Sequence, residues 1–145
     1  MMDWPRKRSR ARAVALQLLF QRDHNPGVEP ASIESFARER LVSLSDPDMV
    51  PFCLALYNGV VSHQEEIDQR LGEAAENWRL PRMAAVDRNV LRLGCFELLF
   101  APETPARVAI DEAIELARRF GSADSPAFVN GVLDRLRQEP KVSSQ

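Results

Sequence analysis

Apolar residues recur every three or four positions along this chain, and β-branched alternation is nearly absent. The first periodic segment predicts a helix over about residues 6–22. Ala11, Ala15, Leu18 and Leu19 form its stripe, and Asn25-Pro26-Gly27 stops it. A second helix is predicted over residues 31–44, with Ile33, Phe36, Ala37 and Leu41 inward. Ser45-Asp46-Pro47 then supplies a cap and a proline at the first helical position. The apolar period continues to about residue 75 through Phe52, Leu56, Val60, Ile67 and Leu71, with Gly59 as a bend or a close helix contact. Residues 77–81 break it.

The next helix, over about residues 82–100, is apolar nearly all round towards its end, the pattern of a helix buried at the centre of a bundle. Another runs to Phe120, with Ile110, Ala113, Ile114 and Ala117 inward and Gly121 as its C-terminal cap. Ser125-Pro126 reads as cap and first turn of the last helix. Val129, Val132, Leu133 and Leu136 form its buried face, and Asn130 and Gly131 are structural, the glycine permitting close helix approach. The expectation is one compact all-α domain of six or seven helices spanning residues 1–145, with a frayed tail over about 139–145.

The chain has 145 residues, enough for a hydrophobic core without disulfide or metal staples. At 45% hydrophobic and 28% charged residues it is ordinary globular material. It contains no run of 18 apolar residues and no signal-peptide pattern, so a cytoplasmic location is expected. Cys53 and Cys95 then read as two reduced core thiols.

Charge distribution changes the picture. The net charge is −2, but Arg6, Lys7, Arg8, Arg10 and Arg12 form an acid-free basic arm. Without that segment 14 basic and 21 acidic residues remain, a balance of −7. A helix start favours acids, because it is the positive end of the macrodipole. Five cations there oppose that preference, so the arm points to a polyanionic partner rather than to a solvated helix start.

Catalytic chemistry finds little support. His24 and His63 are the only histidines, and neither follows a Glu by three residues as a carboxylate-bridged metal site in a bundle requires. Glu65, Glu66 and Asp68 read as a solvated face. Asp111 and Glu115 are spaced as an acid/base pair, although Asp111 and Glu112 at a helix opening are explained by the dipole alone. No glycine-rich phosphate loop is present. No catalytic residue, metal or cofactor is expected.

Four segments together resemble the NusB family of bacterial transcription antitermination factors. They are RARAVALQLLF (10–20), VDRNVLRLGCFEL (86–98), VAIDEAIELARRFG (108–121) and DSPAFVNGVLD (124–134). The resemblance covers about residues 6–137, and the last two segments are its most specific part. It implies seven helices in two small subbundles and no cofactor. It also implies binding of boxA in nascent ribosomal RNA together with NusE, a small-subunit ribosomal protein. Other Nus factors and RNA polymerase join through that complex, and premature termination is suppressed.

The resemblance implies RNA contacts at Arg6, Lys7, Arg8, Arg10 and Arg12, and at Gln17, Phe20, Asp124 and Phe128. Each also has a plainer reading. Gln17 suits a helix surface, Phe20 suits the core and Asp124 suits a helix cap, while beside phosphate Asp124 would limit RNA affinity and leave room for NusE to supply the rest. Phe20 stands where the family often has Tyr, so it can stack on a base but cannot donate a hydroxyl hydrogen bond. Asp87 matches an acidic position facing NusE. Ser9 interrupts the usual arginine pair, which leaves the register of individual arginines open, and Met1 to Pro5 have no clear counterpart. Two alternatives differ in class. One is a NusB-like domain of an RNA methyltransferase, against which the absence of a catalytic domain after Gln145 counts. The other is a helical interaction module or homodimer without specific RNA recognition.

Overall fold

The structure is a computed structural model that describes residues 4–76 and 79–138. The described residues form seven α-helices and no strand. The predicted frayed tail and the start of the predicted break at Asn77 lie outside them. The chain divides into two compact units, Met1–Gly59 and Val60–Gln145.

In the first unit α1 (Lys7–His24) packs on α2 (Pro30–Leu41), and α3 (Met49–Ser62) begins there and crosses the boundary. α1 buries more than the predicted stripe, since Ala13, Val14 and Leu16 are also buried. The alanines leave room for close neighbours on several sides. α2 is the reverse: Ala37 and Leu41 are buried, while Ile33 and Phe36 are only half-buried. It ends at Leu41, and a short 3-10 turn over Val42–Leu44 follows. The predicted cap before α3 takes a different form. The Asp46 carboxylate accepts the Asp48 backbone N–H at 3.0 Å, and Pro47 lies in the turn ahead of the helix.

The predicted long helix is two helices. His63, at φ −112° and ψ 16°, separates α3 from α4 (Gln64–Ala74). The break is therefore four residues beyond Gly59, and the acids Glu65 and Glu66 occupy the first turn of α4, where the dipole favours them.

α4, α5 (Ala85–Phe100), α6 (Ala106–Phe120) and α7 (Ser125–Arg137) form the second unit. α5 packs against the other three and buries Asn89 through Cys95 without interruption. Its buried Arg92 and Glu97 side chains are paired. The Arg92 guanidinium makes a bidentate pair with Asp68, at 2.9 and 3.0 Å, and donates to Asn89 Oδ1 at 3.2 Å. Thr104 donates to the Glu97 carboxylate at 3.2 Å. Asp68 is thus part of the α4–α5 contact rather than of a solvated face.

Close approach is at Gly94 rather than at Gly131. A Cβ on Gly94 would lie 2.8 Å from Leu133 Cδ1 and 3.3 Å from Ala113 Cβ, whereas one on Gly131 would meet nothing within 4 Å. Arg135 ties α7 to α4 by donating to the Ala74 carbonyl at 2.6 Å, which satisfies a helix end. Gly121 does cap α6, its N–H reaching the Ala117 carbonyl in an extended conformation. The N-cap of α7 is Asp124 and not Ser125, whose buried hydroxyl accepts the Ser122 N–H at 2.9 Å. Cys53 and Cys95 are both buried.

Candidate nucleic-acid interface

The basic arm is the N-cap and first turns of α1. Arg6 occupies the cap position with no side-chain capping bond. Arg6, Lys7 and Arg8 are exposed. Lys7 pairs with Asp46 at 3.7 Å, an exposed contact of small energetic weight. The helical period separates the remaining arginines. Arg10 is half-buried, while Arg12 is 4% exposed.

Phe52 organises the arm. The guanidinium carbons of Arg8 and Arg12 lie 4.9 and 5.2 Å from its ring centroid. Such contacts hold a cation in place without neutralising it, at about 0.5–1 kcal/mol each where exposed. Arg12 therefore serves as an anchor of the arm, and Arg6, Lys7 and Arg8 are its outward cations. Sequence reasoning placed Phe52 in an apolar stripe. Nothing in its neighbourhood signals that it sits under two arginines some forty residues earlier.

Arg10 has a basic neighbour. Its burial, with the charge of Arg40 second, holds the Arg10 pKa below the usual guanidinium value. Arg40 in turn lies 4.6 Å over the Phe36 ring. Sequence reasoning placed Arg10 in the basic arm and did not single out Arg40.

Further along α1, Gln17 is half-buried and its Oε1 is buried without a hydrogen-bond partner among the described residues. An unpartnered buried acceptor costs about 1–3 kcal/mol, which sets this oxygen apart from that of a fully exposed helix-surface residue. Phe20 is 38% exposed, which removes it from the core. Its ring lies 5.0 Å from that of His24 at an angle of 38°.

The second unit carries a separate recess of about 200 Å³, lined by Arg82, Met83, Ala84, Asp87, Asp124 and Phe128. It brings together three predicted site residues from the starts of α5 and α7. Asp87 lies in the first turn of α5, and its Oδ1 is buried without a partner among the described residues. Asp124 is exposed and makes no side-chain capping bond, so capping does not occupy its carboxylate. Phe128 is half-buried on the recess wall. Arg88 fixes the approach to α5 by donating to the Leu80 and Met83 carbonyls at 3.2 Å each. With two carboxylates beside an aromatic ring and one arginine, the recess suits a group that offers N–H donors.

No cluster of three or more metal-ligating side chains occurs among the described residues, and no described helix is long and apolar enough to cross a membrane. Asp111 is exposed and paired with Arg107 at 4.0 Å, in the second turn of α6 rather than at its opening. Glu115 is held by Arg119 and Arg118, with the Arg119 hydrogen bond the main cause of its lowered pKa. These carboxylates are engaged in helix-surface ion pairs.

Comparison with known proteins gives a consistent result. The profile of the NusB family matches residues 9–138. The transcription antitermination protein NusB of Myxococcus xanthus is 45% identical over 130 residues, covering 89% of this chain and 93% of its own. Among solved structures, NusB of T. maritima superposes with a TM-score of 0.81 at 37% identity, covering 95% of this chain and 94% of the other. A chain from the crystal structure of the antitermination factors NusB and NusE in complex with double-stranded RNA superposes with a TM-score of 0.77. It is 26% identical and covers 93% of this chain and 98% of that one.

Proposed function

Because the chain belongs to the NusB family, we propose that it is a transcription antitermination factor that binds boxA of nascent ribosomal RNA together with NusE. The observation that carries this reading is the family match over residues 9–138, joined to a structural likeness to a NusB–NusE–RNA complex. Through that complex it meets other Nus factors and RNA polymerase and helps the polymerase pass premature termination sites. It acts in the cytoplasm as a binding protein, without catalysis or cofactor, and residues 1–145 serve as one RNA-binding domain.

The site divides by chemistry. Arg6, Lys7, Arg8 and Arg10 neutralise phosphates, giving affinity that is strong at low salt and independent of sequence. Arg12 contributes from beneath, by fixing the arm against Phe52. Gln17 offers its orphaned acceptor and Phe20 an exposed ring to an unstacked base. In the recess Phe128 stacks, and Asp124 limits non-specific phosphate attraction. Asp87 takes a donor from NusE, which as a ribosomal protein is expected to be basic.

The test is binding of boxA RNA and a scrambled RNA, with and without NusE, across a salt series. Preference for boxA that sharpens with NusE supports the reading. Equal binding of both RNAs, unaffected by NusE, overturns it and leaves a helical interaction module.

A further inference from the structure

We propose that His24, in the last turn of α1, is a base-reading residue of the RNA site: a nucleobase stacked on Phe20 donates an edge N–H to His24 Nε2. The proposal rests on the RNA-binding reading above. It adds a residue four positions beyond the basic segment that ends at Phe20.

Three observations converge. The first is a hydrogen bond. His24 Nδ1 lies 3.1 Å from the Phe20 carbonyl oxygen, one helical turn earlier. A carbonyl only accepts, so Nδ1 carries the hydrogen and donates it. In the neutral imidazole the other nitrogen, Nε2, is then an acceptor. It meets no hydrogen-bond partner among the described residues. The second is the ring contact. The His24 and Phe20 ring centroids are 5.0 Å apart at 38°, so His24 is held to Phe20 through both ring and backbone. Both side chains are exposed and open to a ligand. The third is their place on the helix. Arg10, Gln17 and His24 recur every seven residues, two turns or about 10 Å apart on one stripe, and Phe20 lies beside it. Gln17 on that stripe carries the buried Oε1 without a partner among the described residues. The stripe therefore leads from the basic arm to the far end of α1.

Stacking alone tolerates any sequence, because every base has a π-face. The Phe20 ring has no polar atom with which to tell one base from another. A fixed acceptor at its rim supplies that discrimination. A base that turns an N–H towards Nε2 gains a hydrogen bond, and one that turns a lone pair there is rejected. Phosphate is a poor occupant, since the neutral ring offers it no hydrogen at Nε2. A plainer role for His24 is to satisfy a carbonyl near the C-terminal end of α1. That role uses Nδ1 alone, leaves Nε2 idle and predicts no dependence on RNA sequence.

Labelled boxA RNA and a scrambled RNA should be titrated, with NusE present and across a salt series, into the full chain and into His24→Phe, Phe20→Ala and Arg8→Gln. His24→Phe keeps an aromatic ring and removes the acceptor. It should lower the preference for boxA over the scrambled RNA about 3–10-fold, the loss of one hydrogen bond, and leave the salt slope unchanged. Phe20→Ala should weaken both RNAs about tenfold or more, the loss of one stacked base. Histidine-selective nitrogen NMR of the parent chain gives a readout that needs no variant: boxA RNA should shift the His24 Nε2 resonance and leave Nδ1 bonded as before. If Phe20→Ala loses affinity while His24→Phe keeps the full boxA preference, the inference is wrong and the RNA reading stands. Equal losses for both RNAs in His24→Phe, with a lower salt slope, overturn it in favour of a phosphate contact. An Nε2 resonance that boxA RNA leaves unmoved overturns it as well. A parent that binds both RNAs alike, or three variants that all bind like the parent, overturns the inference together with the RNA reading.

Discussion

The Arg8 guanidinium carbon lies 4.9 Å from the centre of the Phe52 ring. A cation on a helix that opens unfavourably against its own dipole is thereby held by an aromatic surface instead of a carboxylate. The contact preserves the positive charge for a ligand, which an ion pair would not. Replacing Phe52 by Leu keeps an apolar side chain and removes the ring's quadrupole. Binding of boxA RNA should fall about 3–10-fold, the equivalent of one or two cation–π contacts. Circular dichroism should remain that of the parent. Full RNA affinity in Phe52→Leu would remove the ring from the account of the arm.

The arginines of the arm should separate by burial. Arg8→Ala should leave the melting temperature near that of the parent and flatten the salt dependence of RNA binding by about 0.7 in slope. Arg12→Ala should lower the melting temperature as well, because a side chain only 4% exposed loses its packing along with its charge. Equal melting temperatures for the two variants would refute the division into outward and anchoring cations.

Asp87 supplies a prediction for the protein partner. Its buried Oδ1 lacks a donor among the described residues. Asp87→Ala should therefore weaken NusE binding by about tenfold or more, the value of a charge-assisted hydrogen bond, while the chain itself becomes no less stable. Calorimetric titration with NusE and a thermal scan read the two effects. A destabilised chain with unchanged NusE affinity would make Asp87 a structural acid.

The legible part of the molecule follows from local signals. The bounds of α6 were readable because Pro105 precedes it and Gly121 follows it. The break at His63 carries no proline or glycine, and its one local sign was the acidic pair Glu65 and Glu66, which suits a new helix start. Long-range pairings were not readable at all. Arg12 looked like four other basic residues, and only the fold shows that it reaches Phe52. Asp68 looked like its exposed neighbours until Arg92, twenty-four residues later, was placed beside it. In the site, the sequence marked the exposed arm and the acids of the recess. It did not mark which residues lack partners, since that depends on what the fold brings near each polar atom.

The Arg92–Asp68 pair should matter through its asymmetry. Arg92 is nearly covered, its side chain 9% exposed, and Asp68 is 31% exposed. Asp68→Ala should destabilise the chain by about 2 kcal/mol, since it removes the carboxylate from a nearly covered guanidinium and leaves its charge uncompensated there. Arg92→Met combined with Asp68→Ala should recover much of that loss, because no buried charge remains. Chemical denaturation of both variants checks the order, and a double variant weaker than the single one would contradict it.

Burial pushes the Cys53 thiol up to about 12, well above the usual thiol range. The unfolded chain releases this proton first as pH rises, so the folded state binds more protons between about pH 9 and 12. Stability contributed by the protonated thiol is present below pH 9 and declines across that window. Cys53→Ala or Cys53→Val should reduce the alkaline loss, measured by denaturation at pH 8 and pH 10. Native Cys53 should also resist alkylation at pH 8 and react after unfolding.

The hydrogen bond from Arg135 to the Ala74 carbonyl spans sixty-one residues of chain. During synthesis, α4 emerges long before the side chain that completes its last turn. Its end must remain solvated while α5 and α6 are made, and the second unit becomes a closed cooperative structure only when α7 arrives. Translation order therefore sets a waiting time on this unit, and a nascent chain stalled before Arg135 should stay sensitive to protease around α4 until elongation resumes.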